Sequence, residues 1–297
     1  DIPMHSPISA PARGLQSTEE VLDFASRSAG AIDQSLDVSL AGSPHKVHVL
    51  VNRSGEKFVA KWFQDAASYF RSLDALSHHT IPLGLQAPRL IAHDDALKAL
   101  LMTFLPGVVA GEYASRDPVT HLHIGTLVRQ FHESSSSNPS TQVCEQLAAS
   151  LSQLTEQVEK ELGASTISEL RELGMQLLDM GPIPLQPVHG ALRPEHWMVD
   201  DNYGMQIFSF SATEYNPWVL DTLELEKSYW RYQPELRSAF FTGYDRGPSP
   251  TDQLLLRGFL VESALRGWAE VVKHSASRRT RHLAWSALEH ATGSTLF

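Results

Sequence analysis

One cysteine, Cys144, stands in 297 residues, so the chain can form no internal disulfide and no cysteine-type zinc site. That usage fits a reducing compartment, and a cytoplasmic address is expected. Nowhere do about 18 apolar residues run together, so no membrane-spanning helix is read. Basic residues are scarce: 24 Lys and Arg against 34 Asp and Glu leave a formal charge of −10. Nucleic acid and membrane surfaces attract basic footprints, so neither is an expected partner. The opening DIPMHSPISAPARG has acid, proline and serine where a signal peptide is basic and then apolar; it reads as a flexible lead-in. No G-x-S-x-G elbow occurs, and the histidines lack the ligand spacing of a zinc site.

What is present is a hydrophobic content of 42%, enough for a sizeable core in one large domain or two packed lobes. The first third alternates like a sheet. SLDVSLAG, KVHVLVNRSG and EKFVAKWF place apolar and β-branched residues at period two, and NRSGEK carries hairpin-turn chemistry between the last two. DAASYFRSLDALSHH has helical spacing, and APRLIAHDD and ALLMTFLPG supply two more strands. A five-stranded antiparallel sheet with one helix is expected over residues 1–105. After Pro106 and Gly107 the texture becomes helical, in DPVTHLHIGTLVRQFH, TQVCEQLAASLSQLTEQVEKEL and TISELRELGMQLLDM. HESSSSNPSTQ reads as a surface loop. HWMVDD and MQIFSFSA read as a hairpin closed by DDNYG, and the chain from about Leu220 onward is helical. Residues 106–297 are therefore expected to form a helical lobe.

This order of elements resembles the aminoglycoside phosphotransferase and choline kinase superfamily, over roughly residues 30–275. The fold it implies is α+β and bilobal, protein-kinase-like, with a small β-rich N-lobe and a large α-helical C-lobe. HGALRPEH at 189–196 is similar to the family's catalytic loop H-G-D-x-x-x-x-N, with His189 and Gly190 matching. FVAKWF puts Lys61 where the family keeps a phosphate-contacting lysine, and LLMTFLPG resembles its hinge strand, which makes Met102 and Phe104 candidates for lining a nucleotide cleft. LVRQFH, ending in His132, resembles the family's Leu-x-x-x-His helix. YNPWVLDT resembles its D-P-x-x-D segment, with Asp221 at the position that braces the catalytic loop.

The departures fall on the chemistry. Phosphoryl transfer needs a carboxylate to orient the hydroxyl nucleophile and oxygen ligands for magnesium. The family's loop aspartate is Ala191 here, its loop asparagine is His196, and its second metal carboxylate is Ser209. The helix position that pairs a glutamate with the strand lysine aligns near Tyr69, with Asp65 one turn earlier as the substitute. A lysine buried without a partner is pushed toward its neutral form. Loss of a general base alone costs about 10²–10⁴ in rate, and the metal anchors go as well. No cofactor is therefore assigned, and Mg·ATP is expected to lose its anchors.

Three readings follow. In the first, the chain is a degenerate phosphotransferase, a pseudokinase that binds a small molecule, nucleotide or peptide, or organises a protein partner. In the second, the cleft is repurposed for elimination, cyclisation or hydrolysis, with Glu195 and His196 as an acid–base pair and Arg193 holding an anion. In the third, it is an atypical kinase whose metal is reached by Asp200, Asp201 or Glu214. For Lys61 and Arg193 the readings stay open between ligand contact and an ordinary solvated side chain. His189 and Asp221 are read as structural braces. The family's settings include antibiotic resistance and peptide natural product biosynthesis, and the residues do not choose among them.

Overall fold

The structure is a computed structural model that describes residues 18–40, 42–202, 204–274 and 277–293. The lead-in segment and Tyr203 of the DDNYG turn lie outside the described residues. The chain divides into two compact units, one running to Leu73 and including Arg89–Phe104, the other comprising Asp74–Pro88 and everything from Leu105. The single boundary expected near residue 105 is more involved, since residues 74–88 group with the second unit.

In the first unit, α1 (Thr18–Ala29) precedes strands β1 (Ile32–Asp37), β2 (Lys46–Asn52) and β3 (Lys57–Trp62). Then come α2 (Ala66–Asp74), β4 (Leu90–Asp94) and β5 (Ala99–Thr103). The five strands are antiparallel in the order β1-β2-β3-β5-β4. Asn52 builds the β2–β3 turn: its Oδ1 accepts from the Ser54 and Glu56 amides at 3.0 and 2.9 Å. Alternation in β2 buries His48, Leu50 and Asn52 on one face. Leu50 there joins Ala60, Trp62, Ala99 and Leu101 against Val21, Phe24 and Ala25 of α1. The unit thus has a second helix where one was expected, because Val21, Phe24 and Ala25 share a helix face that closes the sheet. The first strand also ends early. Asp37 Oδ1 accepts from the Ser39 amide at 2.8 Å and turns the chain before Ser39 and Leu40 can extend it.

The second unit opens with a π turn (Ala75–His79) and a 3-10 stretch (Ile81–Gln86), and Gln86 Nε2 donates to the Met205 carbonyl at 3.2 Å. It continues through β6 (Val108–Val109), α3 (Glu112–Ser115), α4 (Pro118–His132), β7 (Asn138–Ser140), α5 (Gln142–Val158), α6 (Ala164–Leu178) and β8 (Ile183–Val188). Next are β9 (Trp197–Val199), β10 (Met205–Ile207), β11 (Glu214–Asn216), α7 (Leu223–Leu225), α8 (Pro234–Tyr244), α9 (Pro250–Lys273) and α10 (Arg278–Thr292). Asp117 caps α4 by accepting from the Thr120 amide at 3.0 Å. The expected β9–β10 hairpin forms, and β6 adds a third strand beside β9. Part of HESSSSNPSTQ, expected as loop, becomes β7 and pairs with β8. Helices α4 and α8 approach through Gly125 and Gly243; a Cβ on Gly243 would collide with the Leu122 carbonyl. A small β-rich unit and a larger, mainly helical one constitute the α+β, kinase-like class that the resemblance implied.

Candidate functional site

Strand β8 delivers His189 and Gly190 to a loop whose shape is set by one carboxylate. Asp221, on the 3-10 turn Trp218–Thr222, is fully buried; its Oδ2 accepts from the His189 amide at 2.7 Å and its Oδ1 from the Gly190 amide at 2.7 Å. His132, at the end of α4, donates Nε2–H to the same Oδ2 at 2.8 Å, and its Nδ1 meets the Tyr244 hydroxyl at 2.9 Å. Burial alone would raise the Asp221 pKa, but His132, His189 and the donated hydrogen bonds outweigh it and hold the carboxyl below its ordinary value. Gly190 has φ +75, and a Cβ there would strike the Ala212 carbonyl, so the loop admits only glycine at that position.

Both ring nitrogens of His189 are committed. Nε2 donates to the Phe208 carbonyl at 2.8 Å and Nδ1 accepts from the Ala191 amide at 3.3 Å, which fixes a neutral tautomer. Burial lowers its pKa against the pull of Asp221. His189 and Asp221 hold the loop, while His132 and Tyr244 complete a brace whose members come from α4 and α8. Tyr244 was invisible in the sequence because it stands 112 residues from His132.

Ala191 and His196 lie on this loop, and Phe208, next to Ser209, donates its amide to the His196 carbonyl at 3.1 Å. Ala191 presents a methyl group. His196 is buried, its Nδ1–H donating to the Ala191 carbonyl at 2.7 Å, so the ring ties one end of the loop to the other. Ser209 follows β10 in a left-handed conformation, φ 75 and ψ 57, half-buried. The anticipated Glu195 and His196 pair is separated by the geometry of the short 3-10 turn Pro194–His196. Glu195 is exposed and near enough to Tyr229 to help raise its hydroxyl pKa, after burial, whereas His196 turns inward. Arg193 is exposed and extended. Of the carboxylates suggested as replacements, Asp200 has its Oδ1 occupied by the Asn202 and Gly204 amides at 2.8 and 2.7 Å, closing the hairpin. Asp201 is exposed, and Glu214 lies exposed on β11, accepting from Asn216 Nδ2 at 2.7 Å.

In the first unit, Lys61 on β3 is half-buried, with Nζ 4.8 Å from the centroid of Phe63. Desolvation lowers its pKa to about 8, and among the described residues it makes no ion pair. Asp65, expected as a partner for Lys61, is engaged elsewhere. Its Oδ1 accepts from the Ser68 amide at 2.7 Å, which commits it to the start of α2. Tyr69 is buried and gives its hydroxyl hydrogen to Asp95 Oδ1 at 2.5 Å. Met102 on β5 pairs across with Val59, and Phe104 lies beneath Lys57 Nζ at 5.3 Å. His45, beside the Phe63 ring at 5.0 Å, was not singled out; its buried Nδ1 has no hydrogen-bond partner.

A magnesium nucleotide does not fit the donor set of the loop. Magnesium requires hard oxygen ligands, whereas positions 191, 196 and 209 supply a methyl, an imidazole already donating to a carbonyl, and one neutral hydroxyl. Among the described residues no group of three or more His, Cys, Asp or Glu side chains is arranged to hold a metal ion. No helix of the described residues is long and apolar enough to cross a membrane.

Comparison with solved structures returns the same fold. An aminoglycoside phosphotransferase from Alicyclobacillus acidocaldarius superposes with TM-score 0.64 at 14% identity, covering 96% of each chain. A macrolide 2′-phosphotransferase from Brachybacterium faecium, solved as the apoenzyme, gives 0.59 at 16% identity, covering 91% of this chain and 97% of that one. A spectinomycin phosphotransferase in complex with ADP and spectinomycin gives 0.56 at 12%, covering 94% and 95%. No curated protein sequence matches significantly. The family model described as phosphotransferase enzyme family matches residues 42–254, and the chain belongs to that family.

Proposed function

We propose that this protein is a family member that has lost phosphoryl transfer and binds a ligand: a small molecule, a nucleotide without its magnesium, or a peptide. The observation that carries this reading is the 2.7 Å hydrogen bond from His196 Nδ1–H to the Ala191 carbonyl, which closes the loop through the side chain standing where a magnesium-binding amide would be. The brace of His132, Asp221, His189 and Gly190 is intact, so the frame is retained while its reactive oxygens are absent. Arg193, exposed on the same loop, is the proposed contact for an anionic group. The solved relatives are named for antibiotics, which makes a small polar metabolite the first ligand class to screen.

The test is thermal unfolding with ATP, with ADP and with magnesium varied independently, since a ligand that binds the folded state raises the melting temperature by mass action. A rise that does not depend on magnesium, with no phosphate released or transferred from labelled ATP, is expected. Magnesium-dependent stabilisation together with transfer above background would overturn the reading.

A further inference from the structure

A second constellation of chemistry-bearing side chains lies away from that loop, where the chain leaves α4. Ser134 Oγ is 2.9 Å from His79 Nδ1, and His79 Nε2 is 3.4 Å from Asp74 Oδ2. All three residues belong to the second unit. We propose that Ser134, His79 and Asp74 form a hydrolytic site for small carboxylic esters, with Ser134 as nucleophile, His79 as general base and Asp74 orienting the imidazole.

The arrangement has the order such chemistry needs: a hydroxyl against a ring nitrogen, and a carboxylate against the other. His79 is held edge-on between Phe131 and Tyr215, with ring centroids 6.0 and 5.7 Å away, so the ring has one orientation. Its side chain is only 5% exposed. Burial lowers the pKa of His79 and outweighs the opposing pull of Asp74, leaving a neutral ring with a lone pair for the hydroxyl. When Nδ1 accepts from Ser134, the proton resides on Nε2, which faces Asp74. That buried Nε2 makes no hydrogen bond of good geometry, and its 3.4 Å approach to the carboxylate is the loose contact expected of a resting site that tightens on binding. The other Asp74 oxygen is held by His78 Nδ1 at 2.9 Å.

Access and charge stabilisation are also provided. Ser134 is half-buried and Asp74 54% exposed, so a substrate can reach the hydroxyl. Among the described residues no backbone–backbone hydrogen bond uses the Ser135 or Ser136 amide, and these N–H groups are the donors proposed for the developing oxyanion. The Tyr215 hydroxyl donates to Ser135 Oγ at 3.0 Å and steadies the loop.

The reaction balances with water as co-reactant. As the Ser134 Oγ–C bond forms, the hydroxyl proton passes to His79 Nδ1; the ester C–O bond then breaks and the alcohol leaves with that proton. Water attacks the acyl carbon and gives a proton to Nδ1. The Oγ–C bond breaks, Ser134 recovers the proton, and the carboxylic acid departs.

The full chain is treated with a fluorophosphonate probe and assayed with p-nitrophenyl acetate, the labelled residue being located by peptide mass spectrometry. The expected results are a label on Ser134, loss of labelling and hydrolysis to background in Ser134→Ala, and a reduction of about 10²–10⁴-fold in His79→Gln. Asp74→Asn, at an exposed position, is expected to slow hydrolysis at least tenfold and supplies the comparison should His79→Gln not fold. No label on Ser134, a label elsewhere, or undiminished hydrolysis by folded Ser134→Ala overturns the proposal.

Discussion

At Asp221 a single buried carboxylate serves two backbone amides and a buried imidazole. Removing it leaves the buried His132 ring and His189 amide without an acceptor and frees the Gly190 amide, so Asp221→Ala is expected to cost about 3–5 kcal/mol in urea denaturation. Because its folded pKa is depressed, its contribution is present above the ordinary value of 3.8 and disappears as pH falls through the lower folded value. Lys61 runs the other way. With a folded pKa near 8 against 10.5 in the unfolded chain, the unfolded state holds more protons between those values, and stability rises with pH across that window. Lys61→Met should flatten the rise, as read from unfolding free energies at pH 7.5, 9 and 10. The sequence left Lys61 open between a ligand contact and a solvated side chain, and only the fold commits Asp65 to the Ser68 amide. The bond from His132 to Asp221 was not legible either, because 89 residues separate them and only the packed fold brings them into contact.

Among the elements, α1 shows how a regular signal can go unread. Val21, Phe24 and Ala25 have the spacing of a buried helix face, but they follow a stretch of proline and serine that reads as a tail. Phe24→Ala should cost about 3–5 kcal/mol by opening a cavity under the sheet, measurable by denaturant unfolding. Strand β8 was missed for a different reason. Pro184 and Pro187 argue against a central strand, yet β7 pairs with its first half and β11 with its second, so each half has an open side. At the π turn Glu226–Trp230, Glu226 is buried beside Arg237 of α8 with Oε1 to Nε at 2.7 Å, and burial raises its pKa to about 7. The folded state then holds the extra proton between pH 4.5 and 7, and stability falls as pH climbs through that range. Glu226→Gln should remove the fall and leave the variant more stable above pH 7 by about 1–3 kcal/mol.

For the molecule as a whole, the formal charge of −10 predicts no retention on duplex DNA at 0.15 M salt, a result that a filter-binding assay would check. The alternation of the first third and the helical texture after Gly107 were legible as spacing, and the bilobal class followed from the resemblance to a family whose model matches residues 42–254. The hydrolytic trio was not legible, since Asp74, His79 and Ser134 belong to no motif and meet only through the π turn that ends α2 and the turn that ends α4.

Ser209 carries one more implication. A left-handed backbone at φ 75 brings the Cβ of any L-residue close to the following carbonyl, and glycine, asparagine and aspartate tolerate it best. The hydroxyl residue therefore sits in a socket moulded for other occupants. Anyone seeking a hardier version of this protein should begin by placing glycine or asparagine there.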